Sequence, residues 1–177
     1  YSEIEKQFNG LQKEHQEYIS ALLKNNPEKF ATHIIKSQRY PDLAFSIPGD
    51  EKHQYIKQHF LDNIDFNDTL LLHTDVFSSR AIAYIRFFYN QNLNKEQQGL
   101  EFIKAVDTLM MKSAVNEKVN ISIRNYIING FETLDMEKVL IYINEHYIKE
   151  TACENDRTEI NLKKRVEGYQ KLTLGTS

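Results

Sequence analysis

The sequence contains few of the residues that interrupt helices. Proline occurs three times, glycine six times and tryptophan not at all, and no proline follows Pro48. Apolar residues instead recur at intervals of three and four positions, and rarely at intervals of two. Because intervals of three and four place side chains on one face of an α-helix, this pattern predicts an all-α fold.

Long apolar runs and an excess of basic residues are also absent. No run of about 18 apolar residues occurs, so we expect no transmembrane helix in this chain. The 22 Lys and Arg residues are scattered among 25 Asp and Glu residues, which gives a formal net charge of −3. Nucleic-acid binding is not expected, because it needs a basic face that neutralises phosphates.

Cysteine occurs once, as Cys153 in the polar stretch ETACENDRTE. A single thiol can form neither an internal disulfide nor a CxxC redox pair, so it carries no information about the redox compartment. A reactive thiolate needs cationic neighbours, whereas the charges near this residue are mostly acidic. We therefore predict an incidental thiol rather than a nucleophile.

About eight helices are predicted, and their short connections favour antiparallel packing of neighbours. We expect an irregular bundle over residues 1–172, with an arrangement of solenoid-like helix pairs as an open possibility. The first helix is predicted over residues 2–25. It carries side chains at alternating intervals of four and three, a spacing typical of a seam for partner helices. These side chains are Ile4, Phe8, Leu11, His15, Tyr18 and Leu22.

Polar residues in front of the apolar runs predict where the helices begin. Ser2 with Glu5 fits a capping box, and Asn26 before Pro27 is predicted to cap a helix that extends to about Arg39. The last helix is predicted from about residue 156 to residue 172. The other predicted caps are Asp50, Thr74 or Asp75, Asn94, Asn116 and Asp135.

The sequence lacks the usual patterns of metal, nucleophile and phosphate sites. No histidine has a Glu three residues before it, and His146 with Glu150 is explained as charge at a helix end. Ser78 and Ser79 lie in a predicted helix, outside any GxSxG pattern. All glycines are isolated, so no phosphate-binding loop is present. We predict no catalytic, cofactor-binding or metal-ligating residue in this chain.

The segment DNIDFNDT, residues 62–69, is the most polar candidate for a site. A calcium loop needs oxygen ligands at alternate positions and a central glycine. Here Ile64 and Phe66 occupy alternate positions, and no glycine is present. We therefore predict a structural turn, in which Asp65 or Asp68 caps the segment that begins at Thr69 and Phe66 fills the core.

Two stretches of the chain resemble a known family. Residues 59–77, HFLDNIDFNDTLLLHTDVF, are similar to a segment of helical domains in bacterial envelope proteins, although Leu61 stands where the family often has tryptophan. Residues 164–177, KRVEGYQKLTLGTS, resemble the junction between such a domain and the thioredoxin-like module of TlpA/ResA-like thiol-disulfide oxidoreductases. The residues that match the first stretch are His59, Phe60, Asp62, Asn63, Asp65, Phe66, Asp68 and Thr69.

The resemblance implies a helical domain of unknown function that is exported to the periplasm or cell envelope. It implies that residues 173–177 begin a linker to a thioredoxin-like domain of the same parent chain, which would carry the CxxC pair. The chain begins at Tyr1 rather than Met, so we expect a piece of a longer protein. The expected role is non-catalytic: recruiting a protein substrate, forming a homodimer or positioning the redox domain. The alternative is a free-standing helical scaffold that binds a peptide or small ligand in a groove.

Overall fold

The computed structural model describes residues 2–43, 46–148 and 157–174. Its α-helices are α1 (Ser2–Asn25), α2 (Phe30–Ser37), α3 (Gly49–His59), α4 (Val76–Arg86), α5 (Lys95–Ser113), α6 (Glu117–Thr133), α7 (Glu137–Tyr147) and α8 (Arg157–Leu174). A 3₁₀ helix spans Thr69–His73. Since no strand occurs in these described ranges, the predicted all-α fold is confirmed. None of the helices described here combines the length and the apolar character needed to cross a membrane.

The chain forms two compact units, residues 1–76 and residues 77–177. In the first unit, α2 packs against α1 and against the 3₁₀ helix. The core of this unit is formed mainly by the segment that follows α3. Its buried apolar side chains are Phe60, Leu61, Ile64, Phe66, Leu71 and Val76.

In the second unit, each helix from α5 onward packs against the next one and the next but one. α5 contacts α6 and α7, α6 contacts α7 and α8, and α7 contacts α8. Residues 114–116 and 134–136 are the only connections between the first three of these helices, so consecutive helices fold back on each other. Whether these helices stack as solenoid-like pairs stays a prediction. The side chains buried completely in its core include Val106, Leu109, Ile123, Ile128, Leu140 and Ile143.

Two of the predicted caps, Asn94 and Asn116, are confirmed, and Thr74 forms a hydrogen bond at the start of α4. Asn94 forms a capping box at the start of α5, in which its side chain accepts from the N–H of Gln97 and the Gln97 side chain accepts from the N–H of Asn94. Asn116 accepts two N–H groups in the first turn of α6. Thr74 accepts the N–H of the first residue of α4 through its hydroxyl group, at 3.2 Å.

The prediction that Asn26 caps the second helix is wrong. α2 begins only at Phe30, with Lys29 in the N-cap position and no side-chain cap. Asn26 instead donates from Nδ2 to the carbonyl of Leu22 at 3.1 Å, and so closes the end of α1. Its own carbonyl accepts the hydroxyl group of Thr32 at 2.7 Å. A polar side chain between two helices can serve either of them, and here it serves the preceding one.

Asp135 does not cap α7, contrary to the prediction. The N-cap residue is Met136, which makes no side-chain cap. Asp135 has a φ of +50°, in the left-handed region that follows many helix C-termini. The N–H of Met136 donates to the carbonyl of Phe131 at 2.9 Å, which closes α6. Asp135 therefore ends the helix before it and leaves its carboxylate available to distant residues.

The remaining boundaries differ by a few residues. Asp50 lies within α3, whose N-cap residue is Pro48, so the predicted cap is displaced. The side chains of Ser2 and Asp50 lie outside the described residues, and the predicted Ser2 capping box with them. α8 extends to Leu174, two residues beyond the predicted end. The division into a helical domain and a linker at residues 173–177 stays a prediction.

Candidate functional site

The segment predicted as a structural turn organises the first unit. Phe60 is almost completely buried, and its ring meets that of Tyr40 edge-on at 5.5 Å. Phe66 is 8% exposed, so its predicted place in the core is confirmed. Asn63 donates from Nδ2 to the carbonyls of Arg39 and Tyr40, at 3.4 and 3.5 Å. The segment thereby fixes the chain that leaves α2.

Asp68 joins the 3₁₀ helix to α2. Its Oδ1 accepts the N–H of Leu70 at 3.1 Å, which confirms the predicted cap. Its Oδ2 lies 2.5 Å from Nδ1 of His33, a partner that the sequence analysis missed. Asp65 accepts the N–H of Asn67 at 2.9 Å and stabilises the turn before the cap. The polar side chains of this segment therefore bind their own unit.

No cluster of three or more His, Cys, Asp and Glu residues suited to a metal ion occurs within the described part of the chain. Ser78 and Ser79 lie in α4, as predicted. His146 donates from Nδ1 to the carbonyl of Tyr142 at 3.0 Å and stacks on its ring, with the ring centroids 4.0 Å apart. Cys153 and Glu150 lie outside the described residues.

The first unit contains a groove of about 440 Å³ between α1, the end of α2 and the chain that follows it. Among the lining residues, Gln12 donates from Nε2 to the carbonyl of Leu43 at 2.7 Å. The polar residues that line the groove include Gln12, His15 and Arg39. Its apolar lining includes Phe8, Ile19, Ile35, Tyr40, Pro41 and Leu43.

The predicted seam of the first helix is largely exposed. We call it the α1 stripe, and it consists of Ile4, Phe8, Leu11, His15, Tyr18 and Leu22. Ile4, Leu11 and Tyr18 are 62, 68 and 67% exposed, and Phe8 is 37% exposed. His15 is exposed as well, and only Leu22 is half-buried. The first unit thus leaves a row of apolar side chains, spaced for a partner helix, facing outward.

A buried ion pair connects α6 to α8 in the second unit. Arg124 and Glu159 form a charge-assisted hydrogen bond, with side chains only 12 and 5% exposed. Arg124 also donates to the backbone carbonyl of Tyr147 and to the side-chain carbonyl of Asn120, both at 3.2 Å. Its Nε atom is buried without a hydrogen-bond partner in the described structure. The pair holds three helices at one point.

Asp107 on α5 binds a tyrosine at the end of α7. The hydroxyl group of Tyr147 donates to Oδ1 of Asp107 at 2.7 Å. Burial of the phenol, together with the hydrogen bond and negative charge of Asp107, raises the pKa of Tyr147 well above its ordinary value. Burial and the same carboxylate raise the pKa of Tyr142. Both phenols are therefore held neutral in the folded protein.

The carboxylate of Asp135 receives two cations from other helices. Lys95 at the start of α5 donates from Nζ at 2.8 Å, and Arg165 of α8 donates from Nη2 at 3.3 Å. The hydrogen bond and charge of Lys95, with a smaller contribution from Arg165, lower the pKa of Asp135. Because this carboxylate is largely exposed, the contacts fix a corner of the unit rather than create a reactive group.

Together, an all-helical fold, polar residues bound within their own units and an exposed apolar stripe describe a helical module. The chain matches the family described as a domain of unknown function (DUF5106) over residues 11–171. Because this match covers most of the 177 residues, the chain belongs to that family. No curated protein and no solved structure matches it significantly.

Proposed function

We propose that this chain is a non-catalytic helical module of a periplasmic, thioredoxin-like thiol-disulfide oxidoreductase. Its role is to recruit a protein substrate, to form a homodimer or to position the redox domain. The link to a redox domain is supported by the similarity of residues 59–77 and 164–177 to such proteins. Cys153 alone cannot perform thiol-disulfide exchange as a dithiol, so the CxxC pair lies elsewhere in the parent chain.

The observation that carries a role in protein contacts is the exposure of the α1 stripe. Adjacent apolar side chains on a protein surface are typical of sites that bind other proteins. By contrast, Asn63, Asp65 and Asp68 bind the backbone or a side chain of their own unit. This favours a structural role for the segment that resembles the envelope proteins.

The first test is to read the coding sequence on both sides of the chain and to fractionate cells that contain the natural protein. We expect an export signal before residue 1 and a thioredoxin-like domain with a CxxC pair after residue 177. The protein is expected in the periplasmic fraction. A coding sequence without a thioredoxin-like domain would overturn the proposal.

The second test concerns catalysis. This chain is expected to show no insulin reduction above the dithiothreitol background, because one thiol cannot form the exchange pair. Cys153→Ser is the matched control and is expected to behave identically. Turnover abolished by Cys153→Ser would mean that this thiol is reactive. Turnover that survives the substitution would reveal an active site elsewhere in the chain.

The groove of the first unit supports a second candidate, a scaffold that binds a peptide or small ligand. Its volume of about 440 Å³ and its apolar walls are in the range of small-molecule sites. The test is a nuclear magnetic resonance titration with a tryptic digest of casein. Shifts confined to Gln38, Arg39 and other residues lining the groove would support this candidate, and Ile35→Glu should remove them. Shifts confined to residues outside the groove would contradict it.

A further inference from the structure

The α1 stripe reads the same in both directions along the helix. The intervals between its six members are four, three, four, three and four residues, so the pattern is symmetric about residue 13. In an antiparallel pair of α1 helices, every member therefore lies opposite another member of the stripe. The layers of such a pair join Ile4 with Leu22, Phe8 with Tyr18, and Leu11 with His15.

α1 attaches to its own unit through a different face. The side chains that are partly shielded from solvent recur at intervals of three and four, on the neighbouring side of the helix. One of them, Gln12, donates to the carbonyl of Leu43 at 2.7 Å. These shielded side chains are Gln12, Gln16, Ile19 and Leu23, with Leu22 of the stripe beside them. Phe8 and His15 of the stripe also line the groove of the unit, whereas Ile4, Leu11 and Tyr18 are 62, 68 and 67% exposed. A second helix can therefore cover these three side chains without displacing α1 from its unit.

We infer that a second copy of this chain covers the α1 stripe, by antiparallel pairing of the two α1 helices. This inference deepens the proposed function, in which homodimerisation is one of the roles. Charges at the helix ends favour the antiparallel direction: Glu3 and Glu5 lie in the first turn, and Lys24 lies in the last. Antiparallel pairing places the acidic first turn of each α1 beside the last turn of the other copy. The two helix dipoles then point in opposite directions, which is favourable.

A parallel pair is disfavoured by the same residues. It would place the acidic first turns beside each other, with Glu3 and Glu5 of both copies at one end. It would also place His15 against His15 in the centre of the seam, where neighbouring layers are apolar. In the antiparallel pair, each His15 lies against Leu11 of the other copy, so the two imidazole rings do not face each other. The direction of pairing therefore follows from the composition of the stripe.

The area available predicts a weak dimer. The seam has only six side chains on each copy, and about 1,000 Å² of total buried area is the lower limit for specific interfaces. Glu14 immediately precedes His15 in the sequence, and near the centre of the pair it approaches Glu14 of the second copy. This repulsion weakens the dimer further, so removing the charge is expected to tighten it.

Analytical ultracentrifugation of the full chain from about 1 to 500 µM tests the pairing, because weak dimers dissociate in this range. The mass is expected to rise from 20.9 kDa toward twice that value. Leu11→Glu and Tyr18→Glu should each raise Kd at least tenfold, since each would place a charge in the seam. Asn9→Glu, on the opposite side of α1, is the matched control and should leave Kd within twofold. Glu14→Gln should lower Kd severalfold.

Disulfide trapping tests the direction in protein that carries Cys153→Ser. A mixture of Ile4→Cys and Leu22→Cys chains should form a mixed disulfide, because these positions face each other in the antiparallel pair. Ile4→Cys alone should remain reduced, since its two copies lie at opposite ends. Rapid cross-linking of Ile4→Cys alone would establish a parallel pair and overturn the proposed direction.

Each outcome separates this inference from the proposed function. A monomer at all concentrations would overturn the pairing through α1. So would a dimer whose Kd is unchanged by Leu11→Glu and Tyr18→Glu. The proposed module could still recruit substrates or position a redox domain. Conversely, a parent protein without a thioredoxin-like domain would overturn the proposed function, while dimerisation through α1 would stand.

Discussion

A single carboxylate, that of Asp68, ties two helices of the first unit together. It caps the 3₁₀ helix through Leu70 and binds His33 of α2. Asp68→Ala is expected to cost about 1–2 kcal/mol of unfolding free energy, since it removes a cap and a side-chain hydrogen bond. Urea unfolding of His33→Ala, Asp68→Ala and the double variant should give a coupling of roughly 0.5–3 kcal/mol. If the two substitutions changed the unfolding free energy additively, the contact between His33 and Asp68 would contribute no stability.

A neighbouring pair provides the control for this cycle. His59 lies 2.8 Å from Asp62, but both side chains are nearly half exposed, so Asp62→Ala should cost only about 0–1 kcal/mol. An ion that binds only the folded state must raise the melting temperature. Since we expect no metal site in this turn, calcium or zinc should leave the melting temperature at its value in EDTA. A metal-dependent rise that disappears in Asp68→Ala would refute the structural interpretation of this turn.

Tyr147 gives the second unit a predictable response to alkali. Its pKa is raised by burial and by Asp107, so the phenol ionises less readily in the folded protein than in the unfolded chain. The resulting stabilisation is complete below pH ~10, the ordinary phenol pKa, and is lost as pH rises toward the folded value. Tyr147→Phe should cost about 1–2 kcal/mol at pH 8 and flatten the decline above pH ~10. Urea unfolding at each pH provides the measurement. The prediction would be contradicted if the stability of the parent and of Tyr147→Phe fell equally above pH ~10.

The contact between α6 and α8 depends on the buried pair of Arg124 and Glu159. Removing one partner leaves an uncompensated buried charge, so Glu159→Leu is expected to cost about 3–5 kcal/mol. Adding Arg124→Met should recover part of that loss, because an apolar pair of similar volume avoids the unpaired charge. Urea unfolding provides the measurement. A double variant less stable than Glu159→Leu alone would contradict the argument.

The matched control for that experiment lies on the surface of the second unit. Glu101 and Lys104 also form an ion pair, but the side chains are 33 and 61% exposed. Glu101→Leu should change the unfolding free energy by only about 0–1 kcal/mol, because solvent screens an exposed pair. The contrast between the two glutamates therefore measures the effect of burial rather than of charge loss alone.

The junction between α6 and α7 combines a left-handed backbone with a charge contact at Asp135. Glycine adopts positive φ without strain and alanine does not, so Asp135→Gly should be more stable than Asp135→Ala. The lowered pKa of this carboxyl group adds stability above its ordinary value of 3.8, which is lost as pH falls through the folded pKa. Asp135→Asn should therefore lose less stability between pH 5 and pH 2 than the parent. Thermal melts across this range provide the measurement.

Caps with partners two or three residues away could be predicted from the sequence, whereas contacts between helices could not. Asn94 and Asn116 were predicted correctly as caps, because their partners lie two or three residues away. Asp135 was misassigned, since its backbone conformation and its bonds to Lys95 and Arg165 depend on other helices. The sequence around Asp135 gives no local signal for these contacts, since Lys95 and Arg165 lie 40 and 30 residues away.

For the whole molecule, periodicity was sufficient to predict the fold class but not the candidate site. Helix-spaced apolar residues gave the all-α fold and located the row on α1, because both depend on intervals along one helix. Whether the α1 stripe is buried depends on which other helices pack against α1. The spacing of residues within one helix does not show this. For the same reason His33 was missed as the partner of Asp68, which lies 35 residues further along the chain.

The packing order of α5 to α8 has a kinetic consequence. Because each helix contacts neighbours one or two steps along the chain, native contacts in this region close short loops and lose little chain entropy. Helical proteins with such low contact order fold in microseconds to milliseconds. Pulse-labelling hydrogen exchange during refolding should therefore find the amides of α5 to α8 protected at the earliest resolvable times. Protection that builds over many seconds would indicate a slower step, outside the closure of these short loops.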